Sequence, residues 1–396
     1  MADPSSSIPA MVTEEFVKTV IERDTGQAGI KVEDFTCERG TDGGENFATL
    51  IFRLAVRFGC EGQEVQTRSF LCKFPPVQPG HLEITRATQS FDREMYFYNH
   101  IVPLMSKNDR ILPDVPKCVL AEPSAIIMRD LKAEGFKLPN KFRGLQSHEL
   151  DVVMRTYARF HALGLKVVTE DAEVSSQELL KHFAFGNVPG FSDFVRQSLR
   201  NLVWLLPEDL GRKVEKYIGA HGGGPERFEE VFRRPGKLTG LTHLDSWCYN
   251  MLFKYEDERA TEMRILDLQL LSLGNPIRDL VNIFYCSVDS TVRVTMEKHL
   301  KSYHETLLAS TKELDLSLDY PYPTFYQDFL SLREFGFLQA AMVVPIFLSQ
   351  DIPDMEKEDL TMERFGDVHG ASIDSEDLVK QRLLDVVREM VKGGVI

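Results

Sequence analysis

The sequence predicts an α+β protein of two lobes, a small β-rich N-lobe and a larger helical C-lobe. Three observations carry that expectation. At 396 residues the chain is too long for one small core. Apolar residues alternate through much of the first third, the period of strands with one buried face. From about Ser147 onward the apolar spacing turns helical, interrupted by a single hairpin. The lobes are expected over residues 1–130 and 131–396. A hydrophobic content of 43% is ample for two packed bodies without a long linker.

Taken in order, residues 14–23 place Phe16, Val20 and Ile21 on one face of a short amphipathic helix. The stretch Arg39-Gly40-Thr41-Asp42-Gly43-Gly44-Glu45-Asn46 is turn-forming. Leu50, Phe52, Leu54, Val56 and Phe58 then alternate as a strand. Residues 68–74 repeat the strand signal until Pro75-Pro76 ends it, just beyond Lys73. Over 85–102 the period changes, with Phe91, Met95, Tyr98 and Val102 along one helical stripe and Glu94 beside it. Strand-like runs follow at 117–121 and 124–128, and the polar stretch 129–135 opens the second lobe. There, residues 147–163 carry Leu150, Val153, Met154 and Tyr157 at helical spacing. Further helices are predicted near 193–205, 208–218, 277–288, 292–312, 325–337 and 376–392. Gly222-Gly223-Gly224-Pro225 is expected to be a loop between helices.

Charge and composition exclude several classes. With 60 acidic against 46 basic residues the net charge is -14, which opposes nucleic-acid binding through the whole surface. A small triphosphate needs only a local nest, one Lys and a metal, so it is not excluded. Six scattered cysteines form no Cys-x-x-Cys pair, so neither a zinc site nor a disulfide framework is expected. Residues 340–348 are the most apolar run, far short of the roughly 20 residues of a spanning helix. The N-terminus shows no secretory signal. A cytoplasmic monomer without a membrane span is the expectation.

The chemistry concentrates in His243-Leu244-Asp245-Ser246-Trp247-Cys248-Tyr249-Asn250 and Ile265-Leu266-Asp267-Leu268-Gln269. Between them, Met251-Leu252-Phe253-Lys254-Tyr255 and Met263-Arg264-Ile265-Leu266 form a hairpin around the polar turn 256–259, which brings Asn250 beside Asp267. Phosphoryl transfer from a nucleotide needs such a trio. One carboxylate accepts the proton of the attacking hydroxyl, while an amide and a second carboxylate hold magnesium. Upstream, Gly40, Gly43 and Gly44 let backbone N–H groups approach phosphates. Lys73 would contact those phosphates and Glu94 would fix Lys73. Singly, each has a plainer account: a hairpin turn, an edge-strand charge, a solvated carboxylate. In this order, together with the trio, they match the nucleotide-holding lobe of a protein-kinase-like fold. His243 is expected to brace the loop through backbone, and His161 to be a satisfied helix-face histidine. Cys248 has no base partner to make it a nucleophile. Trp247 and Tyr249 could reach substrate or fill the core between the lobes. Asp279 is either a helix-dipole charge or a brace for the catalytic loop.

The chain resembles the ecdysteroid kinase-like family (CHK kinase-like), relatives of choline and aminoglycoside kinases. The resemblance runs from about Gly40 to beyond Leu280. It is carried by the glycine stretch through Asn46, Phe47 and Ala48, by Phe70-Leu71-Cys72-Lys73, and by Phe91-Asp92-Arg93-Glu94 with Tyr98. Met128-Arg129-Asp130-Leu131 with Gly135-Phe136, Phe160-His161-Ala162, residues 242–253, Leu266-Asp267-Leu268-Gln269 and Asp279-Leu280 complete it. It implies Asp245 as catalytic base, Asn250 and Asp267 as Mg²⁺ holders, and Lys73 with Glu94 as the phosphate pair. Gly40, Gly43, Gly44 and Asn46 would cover the ATP phosphates. The hinge 127–131, with Met128 and Asp130, would meet the adenine. Two departures stand out. Leu244 replaces the family's Gly, which at a left-handed position costs roughly 1 kcal/mol or more; where the family needs that conformation, the loop here is expected to sit differently. Leu268 replaces Phe, a milder apolar exchange. Only residues 268–278 separate Asp267 from Asp279, too few for the substrate-docking loop of a protein kinase. A small alcohol is therefore the expected acceptor. The resemblance points to an ecdysteroid or other sterol-like alcohol, with a choline-like acceptor or an inactive kinase-like steroid or lipid binder as alternatives.

Overall fold

The computed structural model describes residues 9–40, 50–60, 64–108, 110–181, 185–349, 359 and 361–396. The N-lobe is built on five antiparallel strands: β1 (Lys31–Arg39), β2 (Leu50–Gly59), β3 (Gln66–Phe74), β4 (Cys118–Glu122) and β5 (Ala125–Arg129). Their order is β1-β2-β3-β5-β4. Alternation decides the buried face: Phe52, Leu54, Val56 and Phe58 all point inward, joined by Phe70, Cys72 and Phe74 from β3. The helix Glu14–Thr25 seals this core with Val17, Val20 and Ile21. Thr13 caps its start, and Gly26 ends it at φ 69°. β1 was not among the expected strands. Only Cys37 in it is buried, so it carries no alternation to read. Its pairing with β2 makes it a strand.

The stripe over 85–102 is not one helix. The chain forms Pro79–Thr88 and Ser90–Tyr96, parted at Gln89 with φ 52°, then a π-helical turn Phe97–Ile101 and a last turn Val102–Met105. The break leaves the Thr88 carbonyl without a helical donor, and Arg93 Nε donates to it at 2.8 Å. Glu94 thereby sits on a short helix of its own. Phe97, Ile101 and Met128 join the larger core of the C-lobe rather than the core beneath the sheet.

In the C-lobe a capping box of Gln146 and Glu149 starts the helix Ser147–Glu170. Helices Phe191–Leu205, Glu208–Ala220, Ile277–Cys286 and Asp377–Lys392 fall where the periodicity puts them. Pro225–Phe232 and Met362–Ser375 are additional, and 292–312 divides into Ser290–Arg293 and Met296–Glu313. Gly222, Gly223 and Gly224 all take positive φ in the loop before Pro225. The expectation for 325–337 and the apolar run 340–348 needs correcting, because both belong to one 27-residue helix, Tyr322–Leu348. By length and composition it could cross a membrane, yet 78% of its most apolar window is buried inside the protein, as a core helix requires.

Two small ladders frame the site. β6 (Gly240–Thr242) and β7 (Met251–Glu256) flank the loop that carries Asp245. β8 (Arg259–Ile265) returns to Asp267, and β9 (Ser272–Gly274) pairs with β6. β7 and β8 are the predicted hairpin, closed by Asp257 and Glu258 at φ 47° and 63°, the left-handed pair of a tight antiparallel turn.

Candidate active site

The loop His243–Asn250 is held from behind by one buried carboxylate. Asp279, in the first turn of Ile277–Cys286, accepts the His243 N–H and the Leu244 N–H, each at 2.8 Å. His161 Nε2 adds a third bond at 3.0 Å, while its Nδ1 faces the Tyr303 hydroxyl at 2.7 Å. Ser246 Oγ donates to the Asp279 carbonyl, and Asn282 Nδ2 to that of Leu244. Asp279 is thus a brace for the loop, and His161 is satisfied where it stands. His243 Nε2 meets the Leu266 carbonyl at 2.8 Å, tying the loop to the strand end before Asp267. Burial lowers the His243 pKa, which keeps the ring neutral in that structural bond.

Leu244 adopts φ 65°. The loop therefore takes at Leu244 the left-handed conformation that a glycine would adopt without strain. A Leu in this region costs about 1–2 kcal/mol. Its side chain is buried in the large core, worth about 2 kcal/mol or more. Together with the two backbone bonds, burial offsets the strain. Leu268 is also wholly buried, filling core as the Phe it replaces would.

Asn250 Nδ2 donates to the Asp245 carboxylate at 2.8 Å and to its carbonyl at 2.9 Å. The Leu266 N–H meets the Asn250 carbonyl at 2.9 Å, so the hairpin brings Asn250 beside the segment that ends in Asp267. Across the lobes, Lys73 Nζ contacts both Glu94 oxygens at 2.8 and 2.9 Å and Asp267 Oδ1 at 2.8 Å. Burial works against the Lys73 charge, but the two carboxylates outweigh it and raise its pKa. Glu94 also accepts from the Leu268 backbone, and burial pushes its pKa up to about 7 against the pull of Lys73. Among the described residues, Asp245 has no such cation in contact. Burial, then repulsion from Asp267, pushes its pKa up to about 7, against hydrogen bonds from Asn250 and Gln269. That is the range suited to a general base.

The remaining expected residues separate. Met128 lies buried in β5 opposite Leu71. Asp130 accepts from Arg53 Nε at 2.7 Å, Ser69 Oγ at 2.8 Å and the Lys132 N–H at 3.0 Å, so its carboxylate is committed to bracing the crossing between lobes. At Gly40 an added Cβ would meet Ile51 Cγ2 at 2.6 Å, which assigns its missing side chain to packing against β2. Gly43, Gly44 and Asn46 lie outside the described residues. Trp247 stacks on Phe347 at 3.7 Å and packs into the core. Burial pushes the Cys248 thiol up to about 12, too high for a nucleophile. Sequence reasoning missed Arg93, whose Nη1 donates to the Leu271 carbonyl at 3.0 Å. It joins the Glu94 helix to the segment after Asp267. Its place beside Glu94 was the available signal.

An acidic pair, Asp245 and Asp267, with the Asn250 amide is a hard-oxygen set of the kind Mg²⁺ selects. The raised pKa of Asp245 marks a negative charge that a divalent cation would relieve. Next to this set, Gln269 opens an apolar cavity of about 200 Å³, where Ile84, Phe191, Phe194, Ile346 and Phe365 supply much of the wall. Gln269 Oε1 is buried with no hydrogen-bond partner among the described residues.

The model of the ecdysteroid kinase-like family matches residues 43–316. Among solved structures, a macrolide 2'-phosphotransferase from Brachybacterium faecium is 14% identical over 91% of this chain and 98% of that chain, at a TM-score of 0.40. The aminoglycoside phosphotransferase of a streptomycin–ATP ternary complex is 16% identical over 82% and 89%, at 0.35. A GDP complex of an aminoglycoside 2'-phosphotransferase is 12% identical over 96% and 99%, at 0.38. Likenesses this distant say nothing of a substrate. No curated protein matches the chain.

Proposed function

The chain belongs to the ecdysteroid kinase-like family, and on that footing we propose that it moves the terminal phosphoryl group of ATP to a hydroxyl of a small apolar alcohol. The observation that carries this reading is the contact of one ammonium, Lys73 Nζ, with Glu94 and Asp267 from different parts of the fold, beside an Asp245 left without a contacting cation among the described residues. Lys73 would hold phosphate oxygens, and Glu94 keeps it in place. Asp267 and Asn250 would hold Mg²⁺, which supplies charge neutralisation along the phosphates when bound. Asp245 accepts the acceptor's hydroxyl proton, with Asn250 and Gln269 orienting its carboxylate.

The cavity beside Gln269 supports an apolar acceptor, an ecdysteroid or another sterol-like alcohol. Its wall is aromatic, but none of its described lining residues is a carboxylate, whereas a choline-like cation would need a cage that is both aromatic and acidic. Its volume of about 200 Å³ falls below the roughly 300–1,000 Å³ of drug-sized ligand sites. It would therefore take the end of the alcohol that carries the reacting hydroxyl.

The test is incubation with ATP and Mg²⁺ across a panel of ecdysteroids, sterols, choline and aminoglycosides, read by mass spectrometry for a phosphate adduct. Phosphorylation of an apolar alcohol, lost in Asp245→Asn, is the expected result. Sterol binding without ATP affinity would make the chain a binder. Faster phosphorylation of choline would overturn the acceptor assignment.

A further inference from the structure

A second cleft, of about 600 Å³, shares no lining residue with Asp245, Asn250 or Asp267. Its wall combines β9, the segment before β6, and the start of the helix that carries Asp279. Arg278 and Asn275 line it, with side chains nearly out of solvent: Arg278 is 5% exposed and Asn275 2%. Among the described residues, Arg278 Nε and Asn275 Nδ2 are both buried without a hydrogen-bond partner. The guanidinium lies over the Phe232 ring at 4.8 Å, and its one hydrogen bond among the described residues is a long one, Nη2 to the Arg234 carbonyl at 3.5 Å. A native fold seldom leaves buried donors unmet, because each costs roughly 1–3 kcal/mol.

The surroundings favour a negative occupant. Lys181 and Arg233 also line it, and no carboxylate is among the described lining residues. Each rim cation has a carboxylate beside it on its own helix, Glu178 at 3.8 Å from Lys181 and Glu229 at 3.1 Å from Arg233. Arg278 has only the Coulombic influence of Asp279, whose carboxylate is already engaged by His243, Leu244 and His161. Burial lowers the Arg278 pKa to about 10, so it stays charged at neutral pH. Glycines keep these groups uncovered. A Cβ at Gly274 would meet Arg278 Nη1 at 2.2 Å, and one at Gly236 would meet Asn275 Nδ2 at 2.0 Å. A concentrated positive site on a chain of net charge -14 is a local feature that bulk composition opposes.

We propose that this cleft is a ligand site separate from the catalytic one, for a small anion bearing phosphate or carboxylate groups, seated on Arg278 with Lys181 and Arg233 at its rim. The occupant would lie one residue from Asp279, the brace of the catalytic loop. The site does not depend on the kinase reading, since its test is binding alone.

Titration calorimetry with inorganic phosphate, pyrophosphate and citrate, in the presence of saturating ADP and Mg²⁺ to occupy any nucleotide site, measures it. At least one anion should bind the wild-type chain. Affinity should fall about tenfold or more in Lys181→Glu/Arg233→Glu, as expected for lost charge-assisted contacts. It should fall similarly in Thr239→Trp, which fills the cleft from an exposed lining position. Pyrophosphate binding above citrate would assign a phosphorylated ligand, and the reverse a carboxylate one. Arg278→Gln should abolish binding; should it fail to fold, the two rim variants still decide. Absence of binding by all three anions, or wild-type affinity in both rim variants, would overturn the proposal.

Discussion

The interlobe ion cluster and the catalytic loop solve the same problem, burying carboxylates, in opposite ways. In the cluster, Glu94 and Asp267 share one ammonium, Lys73, at 2.8 Å each. In the loop, Asp279 is satisfied by two backbone N–H groups and a histidine, and Asp245 by amide side chains. Burial, then repulsion from Asp267, pushes the Asp245 carboxyl up to about 7 with amide donors opposing it in contact. Burial brings Glu94 to about 7 against the direct pull of Lys73. Of these two raised carboxyls, Glu94 is held by the Lys73 ammonium, and Asp245, held by amides, is the one placed to take a proton.

Asp245→Asn is expected to break this contrast most sharply. Loss of the base should lower kcat by about 10²- to 10⁴-fold with ATP binding retained. The same change should make the protein more stable than wild type at pH 8. The folded carboxyl keeps its proton up to about 7 against an ordinary 3.8, so wild-type stability falls as pH rises through that interval. Undiminished turnover would sink the base assignment, and an unchanged stability difference between pH 5 and 8 would sink the electrostatic one.

Removing the loop's brace comes next. Asp279→Ala leaves the His243 and Leu244 N–H groups buried and unpaired, at a cost of about 3 kcal/mol or more. Urea denaturation should show it; a midpoint like that of the wild type would mean that water or a shifted loop replaces the carboxylate.

A pH profile sharpens the comparison without mutation. As the free enzyme's base must be ionised, kcat/KM should fall about tenfold per pH unit below about 7. Added Mg²⁺ should move this limb to lower pH by relieving the repulsion between Asp245 and Asp267. A limb near pH 4 at the lowest Mg²⁺ concentration that supports turnover would show that Asp245 is compensated after all.

The smallest effect is expected at Leu244. Leu244→Gly relieves about 1–2 kcal/mol of left-handed strain but forfeits about 2–3 kcal/mol of apolar burial. A net destabilisation of about 1 kcal/mol follows, with kcat changed only a few-fold. A clear gain in stability would show that strain, rather than packing, dominates there.

Much of this was legible in the chain. Alternation marked β2 and β3, and the hairpin spacing placed Asn250 beside Asp267, because both depend on neighbours in sequence. Lys73 and Glu94 could be named because strand and helix periods locate them. The exposed β1 could not be read, since its partner alone makes it a strand. The break at Gln89, with Arg93 answering the freed carbonyl, also escaped periodicity, which runs through it without a mark. Asp130 was named for the hinge backbone, and the engagement of its carboxylate by Arg53 and Ser69, distant in sequence, could not be read from local pattern.

By itself the sequence determined which chemical groups are present and their order along the chain: an Asp-x4-Asn, an Asp after a hairpin, a strand Lys and a helix Glu. Residue type and local period suffice for that. Tertiary structure decided the conformation of Leu244 and the two roles left open for Asp279. It also gathered Lys181, Arg233 and Arg278 into one cleft. The physical reason is common to all three. A positive φ, a buried carboxylate and an unpaired guanidinium are each unfavourable alone, and only contacts from residues far along the chain set whether they persist.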